Sequence, residues 1–226
     1  MREIVFDTET TGFYYDKGDR VIEIGAVELV DKKQTGKVFH KYINPEREVP
    51  EEAVKVHGLT YDFLKEFPTF DKIADEWLDF VGDAVLVAHN AAFDINFINY
   101  ELKQISKDCF DFSKVVDSLE IARKKFPNKH NKLDDLCKRF DVDNSARTFH
   151  GALLDAQLLA EVYVKLVCGD EQNSLFEEVL EKKREFLAVS NDKKYLEPRN
   201  FIIDENIDEK HNKFLQENIK NALWNN

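Results

Sequence analysis

The chain has few cysteines: three in 226 residues. Cys109, Cys137 and Cys168 are widely spaced, odd in number and form no C-x-x-C pair. Neither a disulfide framework nor a zinc site is suggested, and buried reduced thiols are the expected state. Long apolar runs are missing too. No stretch reaches the length of a membrane span, so no membrane partner is expected. The N-terminus passes from charge into the short run Ile4-Val5-Phe6, unlike a signal peptide, which implies a cytoplasmic address. Positive charge is also in deficit. Lys and Arg number 32 against 44 Asp and Glu, a formal net charge of −12. Affinity for nucleic acid rests largely on neutralising phosphates with Lys and Arg. A nucleic-acid ligand would therefore need help here, from bound cations or from a partner that holds it. No internal repeat is visible.

What is present indicates a globular chain: 43% of residues are hydrophobic and 34% charged. The length suits one domain of ordinary size with an appendage, or two small domains. Residues 3–7, 21–30 and 38–43 read as strands, the second interrupted by Glu23 and Glu28. The loop 11–20 carries Gly12 and Gly18, as a turn should. Pro50 suits a first helical turn, and Thr60 caps a short helix 61–66 that stops at Pro68. Residues 70–81 place Phe70, Ile73, Ala74, Trp77, Leu78 and Val81 on one helical face. The run Ala84-Val85-Leu86-Val87-Ala88 predicts a buried central strand. Helices over 92–105, 118–125, 133–140 and 151–167, with a brief strand at 114–117, complete an α/β fold with a mixed sheet flanked by helices. The texture changes near residue 168. Beyond it, 169–226 reads as a linker and a partly helical tail, with helices over 177–187 and 210–224.

Three segments place acids where an ordinary fold gains little from them. Asp7 and Glu9 end the first strand, two residues apart and so on one side of it. Asp94 follows the buried strand at the start of a helix. Asp155 lies early in the helix 151–167, five residues after His150, among leucines that turn it partly inward. Each has an ordinary reading: helix-dipole chemistry for Asp94, solvated turn acids for Asp7 and Glu9, a hydrogen-bonded histidine for His150. Together they point elsewhere. Carboxylates converging on one pocket repel, and stay ionised when divalent cations sit between them. Oxygen ligands favour Mg²⁺ or Mn²⁺ over zinc. Two such ions about 4 Å apart stabilise both the attacking and the leaving oxygen of a phosphodiester. A histidine can deprotonate the attacking water near neutral pH.

The segments DTETTG, HNAAFD and HGALLDAQLLAEVY resemble, in order, the three motifs of the DEDDh 3′→5′ exonuclease superfamily. The likeness extends through IEIGAVELV, VHGLT (56–60), DSLEIARKKFP and LDDLCKRFDVDNSARTFHGALLDAQ. Over most of residues 1–168 it is similar to the proofreading (epsilon) subunits of bacterial replicative DNA polymerases. The resemblance implies a ribonuclease H-like fold and hydrolysis of phosphodiesters at DNA 3′ ends. It implies that Asp7, Glu9, Asp94 and Asp155 hold two divalent cations, with His150 as general base. The last nucleotide would sit over Asp7 and Glu9, with His57 and Glu52 near it. For His57, a capping hydrogen bond at a helix end is the competing reading.

The resemblance also assigns the tail 169–226. Gln172-Asn173-Ser174-Leu175-Phe176 is similar to the peptide that docks on the sliding clamp, an apolar pair for a hydrophobic groove beside a glutamine. Local packing of Leu175 and Phe176 against a following helix is its alternative. The remainder of the tail would bind the catalytic subunit of DNA polymerase III. Two other functions stay open: a DEDDh ribonuclease trimming RNA 3′ ends, and a non-catalytic scaffold for the polymerase.

Overall fold

The computed structural model describes residues 1–145 and 149–169. The clamp-like peptide 172–176 and the helices expected over 177–187 and 210–224 lie outside them.

Strand β1 (Arg2–Thr10) runs through the middle of a five-stranded sheet. On one side it pairs antiparallel with β2 (Val21–Val30), which pairs antiparallel with β3 (Lys33–Tyr42). On the other it pairs parallel with β4 (Val85–Ala88), and β4 with β5 (Val115–Asp117). The order is β3-β2-β1-β4-β5. The β2–β3 connection is a two-residue turn in which Asp31 and Lys32 both take positive φ, 49° and 63°. That turn matches the twist of the strands it joins.

Alternation along the central strands divides the core. Ile4, Phe6, Ile24, Ala26, Leu86 and Ala88 face one layer. It holds α3 (Phe70–Val81) and α4 (Ala91–Gln104). Trp77, fully buried, meets the rings of Phe39 and Phe6 at 5.2 and 5.6 Å there. Val5, Val27, Leu29 and Val87 face the other layer. It holds α5 (Ser118–Lys125), α6 (Leu133–Arg139) and α7 (152–169). Two short helices, α1 (Glu51–His57) and α2 (Tyr61–Leu64), precede α3. Thr60 caps α2, its side chain accepting from Phe63 N as expected.

The structure corrects the sequence reading at several boundaries. β1 reaches Thr10 rather than ending at residue 7, and β3 begins at Lys33 rather than 38. Helix α2 ends at Leu64. The acids that interrupt β2 are buried and bonded. His40 Nε2 meets Glu23 at 2.7 Å, and Glu28 accepts from Arg2 Nε at 2.6 Å and Thr35 Oγ1 at 2.7 Å. The cysteines are free, but only Cys137 is buried; Cys109 is exposed and Cys168 half-buried.

Candidate active site

Because β1 continues to Thr10, Asp7 and Glu9 lie inside the strand, not at its end as the sequence suggested. The two-residue period still puts both on the face of Val5, towards α7. Across the ladder, Asp7 stands opposite Gly25 and Glu9 opposite Glu23. A Cβ on Gly25 would lie 2.1 Å from Leu153 N and 2.2 Å from the Ala152 carbonyl carbon. Glycine is therefore required for the start of α7 to rest on the backbone of β2 beside Asp7. That contact delivers Asp155, which is 3% exposed. His150 N donates to Val56 O at 3.1 Å, fastening the approach to α7 onto α1. His150 Nδ1 lies 3.2 Å from Asp155 Oδ2. Ligand atoms of Glu9, His150 and Asp155 all fall within 4.8 Å of one another.

Asp94 arrives from the other layer. Asn90, in the left-handed region (φ 68°, ψ 49°), turns the chain from β4 into α4, and its N–H donates to Asp117 Oδ1 at 3.1 Å. The first turn of α4 then aims Asp94 at β1. Asp94 Oδ1 accepts from Thr8 Oγ1 at 2.7 Å and Thr8 N at 3.1 Å. Burial pushes the Asp94 carboxyl up to about 7, outweighing the Thr8 bonds that favour its charged form. Such a carboxyl holds a proton near neutrality until a cation displaces it.

Asp7, Glu9, Asp94, His150 and Asp155 thus line one cleft of about 640 Å³. It opens where β1 and β4 end, the place ligands favour in open α/β sheets. The donor set fits a divalent metal: hard carboxylate oxygens close together, one of them costly to ionise alone. A second cavity, of about 360 Å³, shares Thr8, Glu9 and Phe93 with the first. It is lined by residues 10–14 and by Glu52 and His57 of α1. His57 is 5% exposed, and its Nδ1 accepts from Leu59 N at 3.0 Å, so the ring proton belongs on Nε2. Burial lowers the His57 pKa and keeps the ring neutral. The capping bond and the place in the cavity wall hold together.

Sequence reading missed other residues of the first cleft: His89, Asn90, Arg123, Lys129, His130 and Lys132. His89 Nδ1 bonds Ser118 Oγ at 2.9 Å, and burial lowers its pKa. His89 and Asn90 directly precede an acidic motif. The basic residues form a run, RKKFPNKHNK (123–132), in an otherwise acidic chain.

A mixed sheet with this cleft defines a nuclease of the ribonuclease H-like, DEDDh fold. The nuclease domain of 3′hExo, a DEDDh family member solved with bound rAMP, superposes with a TM-score of 0.64. That likeness, at 19% identity over 74% of this chain and 91% of the other, is one of fold. The exonuclease family model RNase_T matches residues 4–163. DNA polymerase III subunit epsilon of Rickettsia felis is 45% identical over 229 residues, covering 98% of this chain and 99% of the relative. The Escherichia coli K12 subunit of the same name is 52% identical over 176 residues, 74% and 72% of the two chains. The chain belongs to the exonuclease family and, within it, to the DNA polymerase III epsilon subunits.

Proposed function

We propose that this exonuclease removes nucleotides singly from DNA 3′ ends, as the proofreading subunit of a bacterial replicative polymerase. The observation that carries the reading is one cleft lined by Asp7, Glu9, Asp94, Asp155 and His150. Two divalent cations, Mg²⁺ or Mn²⁺, held by the four carboxylates would neutralise phosphoryl oxygens and acidify a bound water. His150 accepts the proton of the attacking water. Asp155 Oδ2, 3.2 Å from Nδ1, favours the imidazolium that results. Water oxygen bonds to phosphorus as the bond to the 3′ oxygen of the penultimate nucleotide breaks. That oxygen takes up a proton, leaving a nucleoside 5′-monophosphate and a strand with a 3′-hydroxyl. Glu52 and neutral His57, in the adjoining cavity, hold the terminal nucleotide.

The remaining assignments belong to the same reading. Residues 1–168 are the nuclease, and 169–226 are a tail that binds the catalytic subunit of DNA polymerase III. Gln172–Phe176 meets the sliding clamp, in the bacterial cytoplasm. Tethering raises the effective concentration of the primer end and compensates for a net charge of −12.

The test is digestion of a 3′-labelled mismatched DNA primer beside a single-stranded RNA of equal length, with Mg²⁺ and with Asp7→Ala as control. Stepwise metal-dependent loss of DNA nucleotides, abolished in the variant and much weaker on RNA, is the expected result. Preference for RNA overturns the proofreading role. Equal digestion by Asp7→Ala overturns the site.

A further inference from the structure

The cleft has a second chemistry opposite its carboxylates. Arg123 on α5 and Lys129, His130 and Lys132 on the α5–α6 connection line it, all exposed. Many lysines elsewhere face acids, as in Lys32–Glu3, Lys41–Glu76, Lys65–Asp62 and Lys124–Glu120. Those among the described residues without an ion pair, such as Lys33, Lys103 and Lys138, line neither cavity. Among the described residues, the Arg123, Lys129 and Lys132 side chains make no ion pair or hydrogen bond. Asp134 also lines this side and accepts from Asn144 Nδ2 at 3.0 Å. In a chain of net charge −12, cations gathered in one cleft without ion pairs indicate an anionic ligand.

The connection that presents them is braced. Asn131, 6% exposed, donates through Nδ2 to Phe126 O at 3.2 Å and Lys129 O at 3.0 Å. Arg139 donates through Nη1 to Asn131 Oδ1 at 2.9 Å and through Nη2 to His130 O at 2.8 Å. Its guanidinium lies over the Phe126 ring, 4.4 Å from the centroid. The backbone is fixed while the cationic side chains project, as binding a polyanion at low entropic cost requires.

Position gives the ligand a direction. The cavity that holds Glu52 and His57 meets the cleft at Thr8, Glu9 and Phe93. A phosphodiester reacting at the carboxylates leaves its terminal nucleoside in that cavity and the rest of its strand in the cleft. We propose that Arg123, Lys129 and Lys132 form a wall that binds the backbone phosphates on the 5′ side of the scissile one. The inference rests on the exonuclease reading above and adds how the strand is held.

The test uses the full chain with Arg123, Lys129 and Lys132 all changed to Gln. Two substrates are compared: an oligothymidylate, and the p-nitrophenyl ester of thymidine 5′-phosphate, which has the scissile phosphate but none upstream. The expected result is a KM for the oligonucleotide raised roughly tenfold or more. That loss should exceed the loss on the ester by at least tenfold. The slope of log(kcat/KM) against log salt should become shallower by about 2, at about 0.7 per phosphate contact on single strands. Exchanging Arg for Lys and Lys for Arg should restore most of the affinity. An unchanged oligonucleotide KM and salt slope overturns the wall. So does an equal loss on both substrates, which places the residues in the chemistry or the fold. If the unaltered protein hydrolyses neither substrate, the exonuclease reading fails instead.

Discussion

Replacing Gly25 by Ala should damage the site without touching any of its side chains. The new Cβ would stand 2.1 to 2.3 Å from Leu153 N, the Ala152 carbonyl carbon and Leu153 Cα. All three are backbone atoms, so no rotamer change relieves the clash. Ordinary contact begins near 3.4 Å, so the start of α7 must retreat from β2 by roughly 1 Å in a close-packed interior. Overpacking of this kind costs about 1–3 kcal/mol. For a domain of this size that lowers Tm by roughly 3–10 °C. The catalytic loss should be larger. Asp155 rides on the displaced turn while Asp7, paired with Gly25, stays in the sheet. A misplacement of about 1 Å between catalytic groups costs on the order of 10²-fold in rate. Gly151→Ala is the control: nothing lies within 4 Å of its Cβ position. It should lose well under tenfold. The assays are thermal melting and digestion of a 3′-labelled primer with Mg²⁺. A folded Gly25→Ala protein with unaltered kcat would refute the role given to this contact.

Other outcomes follow from the same geometry. His150→Gln should slow hydrolysis by roughly 10²–10⁴-fold. Its metal-induced rise in Tm should survive; an unslowed reaction near neutral pH removes His150 as the base. Burial raises the Asp94 carboxyl from 3.8 to about 7, so without metal the folded chain binds more protons than the unfolded one between those values. Its contribution to stability is present below pH 3.8 and lost as pH rises through about 7. Asp94→Asn, an analogue of the protonated form, should therefore gain Tm over the unaltered chain in chelator as pH climbs through that window. A pH-independent difference refutes the assignment. Thr8→Val removes the 2.7 Å bond from Oγ1 to Asp94 and keeps the bond from the backbone N–H. A bond to a charged acceptor contributes about 1.5–3 kcal/mol, so the metal concentration for half-maximal activity at pH 7 should rise roughly tenfold or more. An unchanged metal titration counts against that bond.

Much of this architecture was legible in local pattern. Short apolar and β-branched runs located the central strands, period 3.6 gave the helices, and Thr60 marked its cap. The limits of β1 and β3 were not legible. Asp7 and Glu9 look like strand-ending residues, and Lys33 to Lys37 look like loop. Only cross-strand pairing with β2 carries them into the sheet. The acids of the candidate site could be singled out because carboxylates at helix starts and at a strand end stand out against apolar neighbours. Arg123, Lys129 and Lys132 could not, because exposed cations look alike in sequence. Their distinction is the absence of a partner and a shared cleft, both properties of the folded chain. The burial of Glu23 and Glu28 was hidden for a related reason: His40, Arg2 and Thr35, which satisfy them, sit on neighbouring strands.

The seat of α7 on Gly25 also bears on how the molecule is made. The site draws on residues 7, 94 and 155, so no contiguous fragment of the chain holds it. As synthesis proceeds from the N-terminus, β1 and β2 can pair early, and α4 can bring Asp94 to Thr8 once the middle of the chain has emerged. Asp155 is still missing at that stage, and its place on the sheet stays bare until α7 closes over the glycine. A chain that has not yet reached α7 therefore lacks one wall of the candidate site, and the set of acids is completed in one step.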